Sequence, residues 1–142
     1  MAVSCLDLDS ANTVTTTTIG AGAAVKLGRR VTATNIINEG TLEKHGDYTI
    51  ASLKQRAGVV RTVGAAAITT CDLSGGQWRY QNTGTVATVN QTGGTWDQRS
   101  AGTAARDITT FNYSGGVLFR DDAVTVGTTT LAAANYTAAA IT

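Results

Sequence analysis

Proline is absent from this chain, and histidine occurs once. With no proline, no backbone donor is missing, so long uninterrupted strand ladders are open to the chain. One histidine and two distant cysteines, Cys5 and Cys71, cannot assemble a zinc site, and no cofactor is expected. Charged residues make up 15% of the 142 positions, below the ~25% usual in globular chains. The net charge of +1 gives no electrostatic reason to expect nucleic acid or an anionic membrane as partner. No apolar run is long enough for a spanning helix. The opening MAVSCLDLDS lacks a basic region followed by a long apolar core, so it does not read as a secretory signal. Synthesis in the cytosol and reduced thiols are the corresponding expectations.

Glycine, alanine and threonine fill the space that charge and aromatics leave, and they do so periodically. Shifted by 18 residues, the sequence aligns with itself from Ile19 onward, with copies starting at Ile37, Gln55, Leu73, Gln91 and Tyr113. The copy from Gln91 is four residues longer. Its fourth position is always glycine: Gly22, Gly40, Gly58, Gly76, Gly94 and Gly116. Six positions later come Gly28, Gly46, Gly64, Asn82, Ser100 and Asp122, and six further Thr34, Ser52, Thr70, Thr88, Thr110 and Thr128. Gly, Asn and Asp tolerate the left-handed backbone of tight corners, and Ser and Thr can bond their own backbone at a bend. A corner every six residues predicts a roughly triangular coil.

Apolar columns run between the corners. The sixth position holds Ala24, Leu42, Val60, Trp78, Trp96 and Leu118. The fourteenth holds Thr32, Ile50, Ile68, Val86, Ile108 and Val126, and the seventeenth Asn35, Leu53, Cys71, Val89, Phe111 and Thr129. The seventh, Val25, Glu43, Arg61, Arg79, Asp97 and Phe119, is mostly charged and reads as a solvent-facing ladder that sets register. Neighbouring columns of opposite character are what a strand produces. Repeats this short cannot bury a face alone and must stack. The expectation is all-β: a single-domain parallel β-solenoid, or β-helix, of about six coils over residues 19–130, about 30 Å long at the usual strand spacing. A β-sandwich of short strands is the competing architecture.

Residues 1–18 read as an N-terminal arm or cap, with Val3, Leu6 and Leu8 able to plug the core while Asp7 and Asp9 face out. Asn12 to Thr18 reads as a first partial coil. The insertion at 99–107 should bulge from a corner, either as an interaction loop or as a tolerated surface excursion. Residues 131–142 read as a C-terminal cap or tail, small and almost uncharged, and suited to burial against its own coils or a neighbouring copy.

Candidate chemistry is thin, and the chain reads as no enzyme. His45, just before the Gly46 corner, invites comparison with β-helix acyltransferases, but Gln55–Arg56 and Gln91–Thr92 depart from their hexapeptide pattern, and a solvated corner histidine fits better. Glu39 with Glu43, or Asp97 with Asp121 and Asp122, would need a glycosidase separation of about 5–9.5 Å. Glu43 and Asp97 are three coils apart, with Arg61 and Arg79 between them. Trp78 and Trp96 share a column with Leu42 and Val60, which fits a core stack. Turned outward, with Tyr80 beside them, they would make a platform for sugar rings. The Thr-rich sixteenth column lacks the second threonine column of an ice-binding face.

A solenoid of this length starting at its own Met1, with Gly-Gly corners (Gly75–Gly76, Gly93–Gly94, Gly115–Gly116) and a small-residue tail, resembles the small β-helical cement (decoration) proteins of tailed-phage capsids. More loosely it resembles the β-helices of phage tailspikes. The resemblance implies a structural virion protein: a homotrimer on the virion surface, assembled in the host cytoplasm, that binds between subunits of the major capsid protein. The physical expectation places the shell contact in the N-terminal arm, at Val3, Leu6, Asp7, Leu8 and Asp9, and the trimer contact along one solenoid face and the tail. The alternative is a carbohydrate-binding module of a phage host-recognition apparatus, with glycans on Trp78, Trp96 and Tyr80.

Overall fold

A computed structural model describes residues 5–8, 13–99, 106–119 and 124–131, and every regular element in them is a strand. In chain order these are β1 (Cys5–Leu8), β2 (Thr13–Ile19), β3 (Ala24–Leu27), β4 (Thr32–Asn38), β5 (Thr41–His45), β6 (Ile50–Gln55) and β7 (Val59–Gly64). They continue with β8 (Ile68–Leu73), β9 (Gln77–Asn82), β10 (Val86–Gln91), β11 (Thr95–Asp97), β12 (Arg106–Tyr113), β13 (Val117–Phe119) and β14 (Val124–Leu131). The odd strands form one parallel sheet of seven, here the first sheet, and the even strands a second. Each turn of the chain adds one strand to each sheet, so the chain is a parallel β-solenoid. From β1 to β13 it makes six turns.

Strand alternation explains the packing. On β5, β7 and β9 the residues Leu42 and Lys44, Val60 and Thr62, and Trp78 and Tyr80 are buried inside the coil. Glu43, Arg61 and Arg79 lie between them on the outer face. The second sheet contributes the stacked columns Ile50–Ile68–Val86–Ile108 and Leu53–Cys71–Val89–Phe111, all of them buried. This continuous column of apolar side chains is the core that no single turn could close alone.

Two of the three expected corners are turns between strands. The third lies inside the even strands. There the ladder skips a residue: Ile50 pairs Ile68, and the next paired residue, Ser52, pairs Thr70. Ile50 and Leu53, three apart, are both fully buried, so the strand bends and resets which side faces in. The bend stacks from turn to turn within each strand, so the coil carries two sheets rather than three separate faces.

The register also moves the first copy by one residue. Ala24 pairs Thr41, a step of 17, whereas Thr41 pairs Val59, a step of 18. The partners of Leu42, Ile50 and Leu53 are therefore Val25, Ala33 and Ile36, and not Ala24, Thr32 and Asn35. The correction follows burial: Ala33 and Ile36 are fully buried, while Asn35 sits outside beside Ser52. The four extra residues of the long copy fall between β11 and β12, since Val86 pairs Ile108 while β10 and β11 keep their usual separation. Most of that insertion, residues 100–105, lies outside the described residues, as does the tail beyond Leu131.

Corners leave backbone carbonyls pointing into the coil, and buried backbone acceptors need partners. A column of buried amides supplies them. Gln55 donates through Nε2 to Ala57 O at 2.7 Å and Gly58 O at 3.2 Å. Asn38 donates through Nδ2 to Gly40 O at 3.2 Å and to Gln55 Oε1 at 2.8 Å. Gln91 donates to Val117 O at 2.9 Å. The polar first positions, which break an aliphatic hexapeptide pattern, are thus interior residues that tie strand ends to the glycine corner. At the opposite corner Lys44, 1% exposed, donates through Nζ to Gly28 O at 3.3 Å and His45 O at 2.5 Å. Burial holds the Lys44 ammonium below its ordinary value, against a smaller opposing pull from Asp47.

Candidate functional site

The outer face of the first sheet carries a ladder of charged side chains running from strand to strand. Lys26 pairs Glu43, Glu43 pairs Arg61, Arg61 pairs Arg79, Arg79 pairs Asp97 and Asp97 pairs Phe119. The ladder is thus longer at its start than the 18-residue alignment gives, because the 17-residue step puts Lys26 in the place assigned to Val25. Arg61 donates through Nη1 to Glu43 Oε1 at 3.3 Å and through Nε to Gln81 Oε1 at 2.6 Å. At the other end Asp97 receives Arg99 Nε at 3.1 Å and Arg99 Nη2 at 3.2 Å. These bonds hold the Asp97 carboxyl below its ordinary value, with further help from Arg79. The Arg99 guanidinium also lies 3.9 Å from the centre of the Phe119 ring, in cation–π range.

His45 is not a lone corner histidine. Its Nε2 lies 2.5 Å from Glu43 Oε1, because residues two apart on a strand share a face. This bond is the first cause of the lowered Glu43 carboxyl, ahead of the charges of His45, Arg61 and Lys26, with desolvation opposing. The signal was present as Glu-x-His within one strand, but comparison column by column between copies does not test it. Glu39 is likewise engaged, 3.6 Å from Arg56 Nη1, while Glu43 is held by His45 and Arg61. Asp121 and Asp122 lie outside the described residues.

Trp78, Trp96 and Tyr80 are all fully buried. The two indoles stack at 5.0 Å between centroids, and Tyr80 meets Trp78 edge-on at 5.2 Å. The sugar platform assigned to these three residues is thereby corrected. Trp78 and Trp96 pair directly in the inward column, and Tyr80 follows two residues on with its hydroxyl bonded to Gly84 O at 2.7 Å. The residues placed in a shell-binding arm divide. Leu6, Asp7 and Leu8 belong to β1, which pairs β3 in register with Val25, Lys26 and Leu27. That part of the expected arm is corrected to an end strand of the first sheet, since CLDL has the alternation of AVKL. Val3 and Asp9 lie outside the described residues.

Cys71 is a free thiol in the core, raised well above its ordinary value by burial and by Asp72. Among the described residues no three His, Cys, Asp or Glu side chains converge as metal ligands. An open depression of about 300 Å³ on the charged face is lined by Arg61, Gln77, Arg79, Gln81 and Asp97. Compared with known proteins, the chain matches no family model, no curated protein and no solved structure.

Proposed function

We propose that the chain is a structural virion protein, a cement or decoration protein that strengthens a phage shell by binding between capsid subunits as a homotrimer. The observation that carries this reading is the division of labour across each strand. Large apolar side chains are consumed internally, as in the Trp78–Trp96 stack, and the outer faces are extended, polar and set in register by the parallel ladder. Such a rod binds through surface. Small contacts repeated on three copies gain effective concentration, which suits a symmetric shell.

The test is the solution mass by light scattering over a range of concentrations, followed by co-sedimentation with capsids assembled from the major capsid protein of the same virus. A constant mass of three chains and saturable co-sedimentation are the expected results. A monomer at every concentration, or no retention on capsids, overturns the proposal.

A further inference from the structure

Among the described residues, the charged face from β7 to β13 carries more positive than negative charge. Three cations, Arg61, Arg79 and Arg99, share that stretch with one carboxylate, Asp97. Glu43 is engaged by His45 and Arg61, and Asp97 by Arg99. Arg79 forms no ion pair among the described residues. Among the described residues its one side-chain hydrogen bond is from Nε to Gln77 Oε1 at 3.3 Å. Arg61 and Arg79 stand directly opposite each other on neighbouring strands, an arrangement that like charges disfavour. An anion placed between the two guanidinium groups turns that repulsion into a bridge, and a planar carboxylate matches a guanidinium fork best.

Further along the same face, β13 exposes Val117 at 45% and Phe119 at 38%, two of the three large apolar side chains most open to solvent among the described residues. Arg99 covers the Phe119 ring and is itself 56% exposed. Arginine and aromatic residues beside a small apolar patch are the composition of a protein contact. From β7 to β13 the surface extends about 14 Å at the usual strand spacing.

We infer that the outer face of the first sheet, from Arg61 to Phe119, is a docking surface for a protein partner that presents carboxylate side chains to Arg61 and Arg79 and an apolar residue to Val117 and Phe119. The inference rests on the decoration reading and names the face it would use, in place of the N-terminal segment. The occupant is an acidic protein surface, because the charge without an ion pair among the described residues, Arg79, is positive and the apolar residues adjoin it.

The experiment follows the arginine Nε–H signals of the full chain by NMR during titration with hexaglutamate, for the wild type, Arg79→Gln and Arg56→Gln. Arg56 is exposed and paired with Glu39, off this face. The expected result is saturable movement of the Arg61 and Arg79 signals, reversed by high salt. Affinity should fall about fivefold in Arg79→Gln, the effect of one lost contact of about 1 kcal/mol, and stay unchanged in Arg56→Gln. No saturable movement, or equal losses in both variants, overturns the inference. So does tighter binding of oligothymidylate than of hexaglutamate at these arginines, which would assign the face to nucleic acid. Capsid co-sedimentation separates the two proposals: retention of Arg79→Gln equal to wild type removes this face and leaves decoration standing. Hexaglutamate binding without any capsid retention does the reverse.

Discussion

Trp78 and Trp96 lie face to face in adjacent turns, with ring centroids 5.0 Å apart and planes within 3° of parallel. They differ in one respect. Trp78 Nε1 donates to Thr62 Oγ1 at 3.1 Å, whereas Trp96 Nε1 is buried with no partner among the described residues.

That difference separates two substitutions that sequence alone would treat as equivalent. Either tryptophan changed to alanine should cost about 3–5 kcal/mol, as for other large core truncations. Changed to phenylalanine, Trp78 loses a satisfied bond and strands the Thr62 hydroxyl, while Trp96 loses a donor that had no acceptor. Denaturant unfolding should therefore rank Trp78→Phe as less stable than Trp96→Phe by about 1 kcal/mol. The reverse order would mean that the Trp78–Thr62 bond contributes nothing.

Gly58 tests the corner. Its φ is 68°, and a Cβ there would press into the carbonyl oxygen of Gly40 in the turn below. Gly58→Val should cost at least about 2 kcal/mol, from left-handed backbone strain and the clash together. Gly20 has neither constraint, with nothing within 4 Å of a built Cβ, so Gly20→Ala should stay within about 0.5 kcal/mol of wild type. Thermal melts of both variants make the comparison, and equal melting temperatures would count against the stacked corner.

These glycines show why the architecture was legible in the sequence. Left-handed corners restrict residue type so strongly that the repeat is visible by eye. The register of the first copy was less visible, because a 17-residue step looks like noise until Val25 and Ile36 are seen to fit the core columns better than Ala24 and Asn35. Polar residues misled in a different way. Gln55, Gln91 and Lys44 would be assigned to the surface by polarity, yet each is buried where corner carbonyls require donors. The charged ladder was legible by column, but the Glu43–His45 bond required reading along a strand. The role of β1 was hidden because a strand of four residues at the end of the coil looks like an arm until its register with β3 is known.

Asp97 gives a pH dependence with a definite sign. Its carboxyl is held below the ordinary 3.8, first by the Arg99 side-chain bond. A depressed carboxyl stabilises the fold at pH above 3.8, and that contribution is lost as the pH falls through the lower folded value. Asp97→Asn removes it at neutral pH, and the face is open enough to solvent that the loss should be small. The gap in melting temperature between Asp97→Asn and wild type should close as the pH drops below 3.8. A gap that is constant with pH would assign the effect to packing.

Lys44 predicts a slope of the opposite origin. Its ammonium is buried against Gly28 O and His45 O, and desolvation lowers its folded pKa from the ordinary 10.5. Between the folded value and 10.5 the unfolded chain binds more protons than the folded one, so stability due to this residue rises with pH across that interval. Lys44→Met keeps most of the volume and removes the titration. Replacing a buried charge by an apolar side chain is often neutral or stabilising, but here it also leaves two corner carbonyls without their donor, at about 1–3 kcal/mol each if water cannot reach them. The corner is the deciding factor. The bonds of Lys44 hold the start of the turn to the carbonyl of Gly28 in the turn below, so we expect Lys44→Met to be less stable than wild type at neutral pH. Its stability should also lack the wild type's rise toward 10.5. Urea titrations of both proteins at a series of pH values measure the two effects together. A stabilised Lys44→Met would show that the corner carbonyls are satisfied without the lysine, and that its burial is a cost the fold carries for another reason.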